Sequence, residues 1–174
     1  MLQYRQKKLN YSQQIKQAEI LLKYCRDYNC LFLINDNPQL AAEITADGIH
    51  LGQNDTNITQ ARNLIGPKAI IGMTCHNSLK LAQQAELKGA DYVAFGAFFP
   101  SPSKPEAALA PISLLRQAKK TLHCPIIAIG GINPDNAKQL IDAGADMIAT
   151  IHALFASKNI SSQCSHFNQL FKGL

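Results

Sequence analysis

The sequence predicts an α/β chain of (β/α)8 TIM-barrel type, with about seven βα units in one domain over residues 1–174. Three observations predict it. Short apolar runs, such as CLFLI from Cys30 and PIIAI from Pro125, alternate with helix-length segments whose apolar residues recur every three or four positions. The runs are too continuous for half-solvated antiparallel strands, so they are expected as parallel strands covered on both faces. No G-x-G-x-x-G follows an early run, and polar residues gather after most runs, which favours a barrel over a dinucleotide-binding sheet.

The elements follow in order. LQYR at the start is a short strand or a fragment of one. A helix is expected over 12–28, capped by Ser12, with Ile15, Ala18, Leu21, Leu22 and Cys25 on one face. CLFLI is the second strand, and Pro38 opens a short helix over 38–45. GIHL is a strand, and ITQARNLI a helix stopped by Gly66-Pro67. AIIGM at 69–73 is a strand, and the helix over 78–88 stops at Gly89. YVAF follows, then a long loop from Gly96 to about Ala110, a helix over 111–122 and PIIAI at 125–129. A helix over 134–143, MIAT at 147–150, a helical turn around 152–156 and a helix near 162–171 complete the pattern.

TADGIHLG at 45, GADYVAFG at 89 and GADMIATI at 144 form an internal echo. Each takes the chain from a helix into a strand through Ala-Asp. Seven strands are one short of the eight in a full barrel, and the first begins abruptly. The pattern therefore predicts an N-terminally shortened barrel, whose unpaired edge favours assembly as a homo-oligomer.

Composition narrows the function. The net charge is +5, with basic residues spread through helical segments apart from Arg5-Gln6-Lys7-Lys8 and Lys119-Lys120. That balance suits small anionic substrates. Trp is absent and aromatics are 7%, too thin for a base-stacking surface, so no nucleic-acid partner is expected. No apolar stretch approaches membrane-spanning length and no leader pattern is present, which predicts a soluble, cytoplasmic protein without a membrane partner. The five cysteines form no C-x-x-C pair and no zinc spacing, and are expected as reduced, mostly buried hydrophobes.

In a barrel the strand ends converge on one mouth, so the residues following each strand are the candidate site. Gln3, Arg5 and Lys7 alternate on one strand face, as a diphosphate site or as a solvated basic terminus. LINDN brings Asn35 and Asp36 to the second strand end; it turns the chain there, or it turns the chain and holds a ligand. Asp55 follows the third strand, either capping the helix near Thr56 or facing Asp36. Two carboxylates from neighbouring strands repel unless a cation lies between them, and magnesium favours such a pair completed by water and phosphate. His50 lies inside its strand and is assigned no chemistry. Thr74 offers a hydroxyl, and His76 is either a surface or cap residue or a pocket wall. Cys75 and His76 are adjacent, so their side chains diverge on an extended segment. Ser101, Pro102, Ser103 and Lys104 supply two hydroxyls and a cation on a proline-stiffened loop. Gly130-Gly131, followed in the next unit by Ile151-His152 and a short helix, offers backbone for a phosphate.

The motifs QYRQK, IND, GIHLGQND, IIGMTCHN, GADYVAFGAFFPSPSKP, PIIAIGGI and GADMIAT stand in that order over nearly the whole chain. So arranged, the chain resembles the thiamine-phosphate synthase family, which joins the pyrimidine and thiazole halves of vitamin B1. The resemblance implies that Gln3, Arg5, Lys7, Asn35, Thr74 and Lys104 bind the pyrimidine diphosphate, with Arg5, Lys7 and Lys104 offsetting charge on the leaving group. It implies Asp36 and Asp55 as magnesium ligands. Ser101, Pro102, Ser103, Gly131, Ile151 and His152 correspond to the stretch meeting the thiazole phosphate. Ser-Pro-Ser replaces the family's usual Thr-Pro-Thr and keeps both hydroxyls, while His152 stands where Ser is usual. The family normally carries a further strand and helix ahead of QYRQK. A thiazole tautomerase branch resembles the same fold but typically lacks the paired aspartates and the Gln-x-Arg-x-Lys. A non-catalytic remnant binding phosphorylated ligands is the other alternative.

Overall fold

All seven expected strands form in the computed structural model, which describes residues 1–101, 106 and 108–172. The chain forms two compact units: Met1–Thr74 with Leu87–Asp91, and Cys75–Glu86 with Tyr92–Leu174.

In the first unit, β1 (Leu2–Tyr4), β2 (Phe32–Asn35), β3 (Gly48–Leu51) and the Ile70–Thr74 part of β4 (Ile70–His76) pair in parallel, in chain order. Leu2 and Tyr4 lie against Phe32 and Ile34, Asn35 against His50, and Leu51 against Met73. β3 is wholly buried, His50 included, as suits a parallel strand covered on both faces. Gly48 is required by packing: a Cβ there would lie 2.1 Å from the Ile70 carbonyl oxygen.

α1 (Tyr11–Asp27) covers β1 and β2 with Ala18, Leu22 and Cys25, the core of the predicted face; Ile15 and Leu21 pack at its margin. Its cap is Asn10 rather than Ser12. Asn10 accepts from the Gln13 N–H at 3.0 Å, and Gln13 reaches back to the Asn10 N–H at 3.2 Å, a reciprocal pair that Ser12 has no partner to make. α2 (Pro38–Glu43), capped by Asn37, adds Leu40 and Ala41 to the same core, where the Tyr4 and Phe32 ring centroids lie 6.3 Å apart. Each large apolar side chain so buried contributes about 1.5–3 kcal/mol. α3 (Ile58–Ile65) is capped by Asn57 and ends at Gly66 as expected.

The second unit holds α4 (Leu79–Leu87) up to Glu86, then β5 (Tyr92–Phe95), α5 (Ser113–Thr121), β6 (Ile126–Ile129), α6 (Pro134–Asp142), β7 (Met147–Ala149), α7 (His152–Phe155) and α8 (Ile160–Leu170). β5, β6 and β7 pair in parallel, with Val93 against Ile126 and Ile127 against Met147. α8 begins earlier than its apolar pattern suggests because Asn159 caps it, accepting from the Ser162 N–H at 2.9 Å.

The internal echo is a repeated clasp. Asp47 accepts the Phe32 N–H with its carboxylate at 2.7 Å and gives its own N–H to the Phe32 carbonyl at 3.0 Å. Asp91 does the same to Ile71, and Asp146 to Ile126. Each aspartate closes the open N-terminal end of the preceding strand, a backbone donor that would otherwise lack a partner. A cation from an earlier helix braces each corner: Arg26 on the Thr45 carbonyl, Arg62 on Asp91, Lys119 on Asp146. Among the described residues no helix is long and apolar enough to cross a membrane.

Candidate active site

In-register neighbours of a parallel sheet share a face, as do alternate residues of one strand. β1 to β4 therefore present Gln3, Asn35, His50 and Thr74 on one face of the first unit. Gln3 is exposed, as are Arg5 and Lys7 beyond it, while Tyr4 between them is buried, matching the predicted alternation. Arg5 and Lys7 join Asn35, Asp36 and Asp55 around a cleft of about 710 Å³. Gln6, Gln14 and Asn37 also line it, and the sequence pattern marks none of them. Another hollow, of about 640 Å³ among Glu19, Leu22, Lys23, Arg26, Asp27 and Ile44, holds none of the expected site residues.

LINDN turns the chain through a left-handed Asp36, at φ 64°. Short polar residues tolerate that region better than most. The Asp36 N–H is fixed on the His50 carbonyl at 2.9 Å, and the Asn37 side chain caps α2 through the Leu40 N–H at 3.1 Å. So anchored, the Asp36 carboxylate meets the Lys7 ammonium at 3.0 Å. The exposed lysine makes this pair a weak contributor to stability, about 0–1 kcal/mol.

Asp55 does not cap a helix. Its carboxylate accepts the Gly52 N–H at 2.7 Å, closing its own turn, and it lines the same cleft as the carboxylate of Asp36. Burial and the neighbouring Asp36 push the Asp55 carboxyl up from its ordinary value, against the pull of the Gly52 N–H and Lys7. Burial also works against charge on Asp36, but the Lys7 ammonium, with the neighbouring Asp55 and Asn35 side chains, outweighs it and holds that carboxyl below its ordinary value. Two carboxyls brought together in one cleft are an arrangement that a divalent cation relieves. No cluster of three or more His, Cys, Asp or Glu occurs among the described residues, so the pair is no all-protein cage. Its hard oxygens and sparse ligation fit magnesium completed by water and phosphate.

Thr74 is held from two sides. His50 Nε2 lies 2.7 Å from its hydroxyl, and the Gln53 amide donates to its carbonyl at 2.5 Å.

The second unit carries the remaining candidates. Gly131 sits at φ 65°, and a Cβ there would lie 2.4 and 2.5 Å from the Pro100 and Phe99 carbonyl oxygens. Gly130 is likewise closed off by Ala97. The close approach these glycines permit is to the chain's own loop: Phe98 and Phe99 donate their N–H groups to Ile129 and Gly130, both at 3.1 Å. Ser101 continues that loop half-buried, and Pro102, Ser103 and Lys104 lie outside the described residues. Ile151 and His152 are exposed at the start of α7.

None of Cys25, Cys75 and the half-buried Cys124 is poised as a nucleophile. Burial pushes Cys25 up to about 11, and Cys75 and Cys124 up to about 12, so these thiols stay protonated at neutral pH. Cys75 is buried while His76 is exposed, the divergence expected of adjacent residues on an extended segment.

The family model described as thiamine monophosphate synthase matches residues 1–154. A thiamine-phosphate synthase from Nitrosococcus oceani is 50% identical over 171 residues, 98% of this chain and 79% of that protein. One from Saccharophagus degradans is 52% identical over 159 residues, 91% and 73% of the two chains. The solved structure of a thiamine phosphate pyrophosphorylase from Pyrococcus furiosus superposes with a TM-score of 0.88 at 33% identity, covering 97% of this chain and 80% of that one. A 3-hexulose-6-phosphate synthase from Salmonella typhimurium, at 16% identity and a TM-score of 0.69 over 88% of this chain and 79% of its own, shares the fold alone.

Proposed function

The chain belongs to the thiamine monophosphate synthase family, and from that premise we propose that it joins hydroxymethylpyrimidine diphosphate to a thiazole phosphate or its carboxylated form. The products are thiamine phosphate and diphosphate. The bond from the pyrimidine methylene to the diphosphate oxygen breaks first, and the diphosphate leaves with the electron pair. The lone pair of the thiazole nitrogen then forms the new carbon–nitrogen bond.

No side-chain nucleophile is needed; the protein's contribution is electrostatic and positional. The observation that carries the reading is the Asp36–Asp55 carboxyl pair beside Arg5 and Lys7 in one cleft. Asp36 and Asp55 would hold magnesium, which would supply charge neutralisation at the diphosphate. Arg5 and Lys7, with Lys104, offset the negative charge that develops as the methylene–oxygen bond lengthens. Gln3, Asn35 and Thr74 bind and orient the pyrimidine diphosphate. Ser101, Pro102, Ser103, Gly131, Ile151 and His152 serve the thiazole phosphate. The substrates are thus small and phosphorylated, and neither nucleic acid nor membrane enters the reaction.

Supplying both phosphorylated halves with magnesium, and identifying products by mass, tests the proposal. Thiamine phosphate and diphosphate in equal amounts are expected. Isomerisation of the thiazole carboxylate alone, without diphosphate release, would assign the chain to the tautomerase chemistry instead.

A further inference from the structure

His50 is the one buried charged or polar side chain of the core among the described residues, 7% exposed within the wholly buried β3. It joins both neighbouring strand ends. Its carbonyl accepts the N–H of the left-handed Asp36 at 2.9 Å, and its Nε2 lies 2.7 Å from the Thr74 hydroxyl. The Thr74 main chain is separately pinned by Gln53, so the imidazole is not needed to hold the backbone at that point.

The chemistry of that contact is directional. A β-branched side chain fixes where its hydroxyl oxygen sits, but not where the O–H points. Were Nε2 to accept from Thr74, the hydroxyl proton would be spent inside the protein, and only lone pairs would face a ligand. Lone pairs repel an anionic oxygen. Were Nε2–H to donate to Thr74 Oγ1, the Thr74 proton would be free to bond a diphosphate oxygen.

We infer that His50 is a positioning residue for the pyrimidine diphosphate: its Nε2–H donates to Thr74 Oγ1 and turns the Thr74 hydroxyl into a donor for the ligand. This rests on the proposed substrate for the identity of the anion, while the hydrogen-bond direction is a property of the protein itself. A buried imidazole that merely filled space would be replaceable by leucine without affecting ligands, which separates the two roles.

Two measurements on the 174-residue chain decide it. Long-range ¹⁵N–¹H correlation spectra of the imidazoles, with the His50 signal identified by its loss in His50→Gln, should show a proton on Nε2. A neutral ring protonated on Nδ1 alone overturns the inference, whatever the activity. The second is a double-mutant cycle of His50→Leu, Thr74→Val and both together, read by titration with inorganic diphosphate and magnesium and by kcat and KM for the pyrimidine diphosphate. Each single change should weaken binding about tenfold, the pair no more than either alone, and His50→Gln, which keeps a donor near the Nε2 position, should restore most of the loss. Losses that multiply, or a His50→Leu loss that tracks its fall in melting temperature, overturn it. No turnover with an Nε2 proton and coupled diphosphate binding sinks the proposed reaction and keeps the inference; turnover with uncoupled losses does the reverse. A chain that neither turns over nor binds diphosphate sinks both.

Discussion

At the scale of single residues, Asp36 and Thr74 stand on neighbouring sides of β3 but are expected to do unequal work. Asp36 carries a charge that must be met by a cation, whereas Thr74 offers one neutral hydrogen bond. Replacing Asp36 with Ala should lower kcat/KM by roughly a hundredfold or more, about 2.7 kcal/mol, against about tenfold for Thr74→Ala. Small, equal losses in steady-state assays would contradict the assignment. A second residue-scale prediction concerns Thr45, a β-branched residue at φ 53°. In the internal echo it occupies the position of Gly89 and Gly144, at φ 87° and 111°. Relief of about 1–2 kcal/mol of left-handed strain, less about 0.5–1 kcal/mol for glycine's freedom when unfolded, leaves Thr45→Gly more stable by roughly 0.5–1 kcal/mol. Thermal melts check this; a lower melting temperature would mean that the contact of Arg26 with the Thr45 hydroxyl outweighs the strain. The left-handed Thr45 was not legible from one repeat, but aligning the three against each other exposes it.

At the scale of elements, the strands and helices were legible because each depends on periodicity within a few residues. Caps were less so: Asn10 and Ser12 both suit an N-cap, and only the reciprocal bond from Gln13 decides between them. The aspartate clasps were visible as a repeat but not as a device, since each carboxylate closes a strand 15 to 20 residues away. Glu86 is a comparable long-range tie, accepting the N–H groups of His123 and Cys124 at 2.6 and 2.7 Å. Burial works against its charge, but those two N–H groups, Cys124's first, outweigh it and hold the carboxyl below its ordinary 4.5. A depressed carboxyl stabilises the fold above its unfolded value and loses that stabilisation as pH falls through its folded value. The advantage of the wild type over Glu86→Gln should thus be full at neutral pH and fade in acid below the ordinary value. Denaturant midpoints at several pH values test it, and a pH-independent difference would deny the charged tie. Gly48→Ala should also be severe, costing about 3 kcal/mol or more, because its Cβ would collide with backbone that cannot swing aside.

At the scale of the molecule, the parallel βα pattern and the family were legible from apolar runs and motif order, and the solved pyrophosphorylase structure superposes on 97% of the chain. The cleft was legible where its lining carries charge, as at Arg5, Lys7, Asp36 and Asp55. It was not legible where neutral amides line the cleft, as at Gln6, Gln14 and Asn37, because those residues are common on any surface. Nor did sequence show that Gly130 and Gly131 yield to the chain's own loop. Ligand linkage provides a whole-molecule prediction: diphosphate with magnesium at about a hundred times its dissociation constant should add about 2.7 kcal/mol to stability, raising the melting temperature by roughly 5–10 °C. Asp36→Asn should abolish that rise. The most direct measurement is the rate of thiamine phosphate formation from the two phosphorylated halves, with magnesium or with chelator, by the wild type and Asp36→Asn. Turnover should require magnesium and fall at least roughly a hundredfold in the variant. Equal rates with chelator, or a variant as fast as the wild type, would contradict a metal–diphosphate site at Asp36 and Asp55.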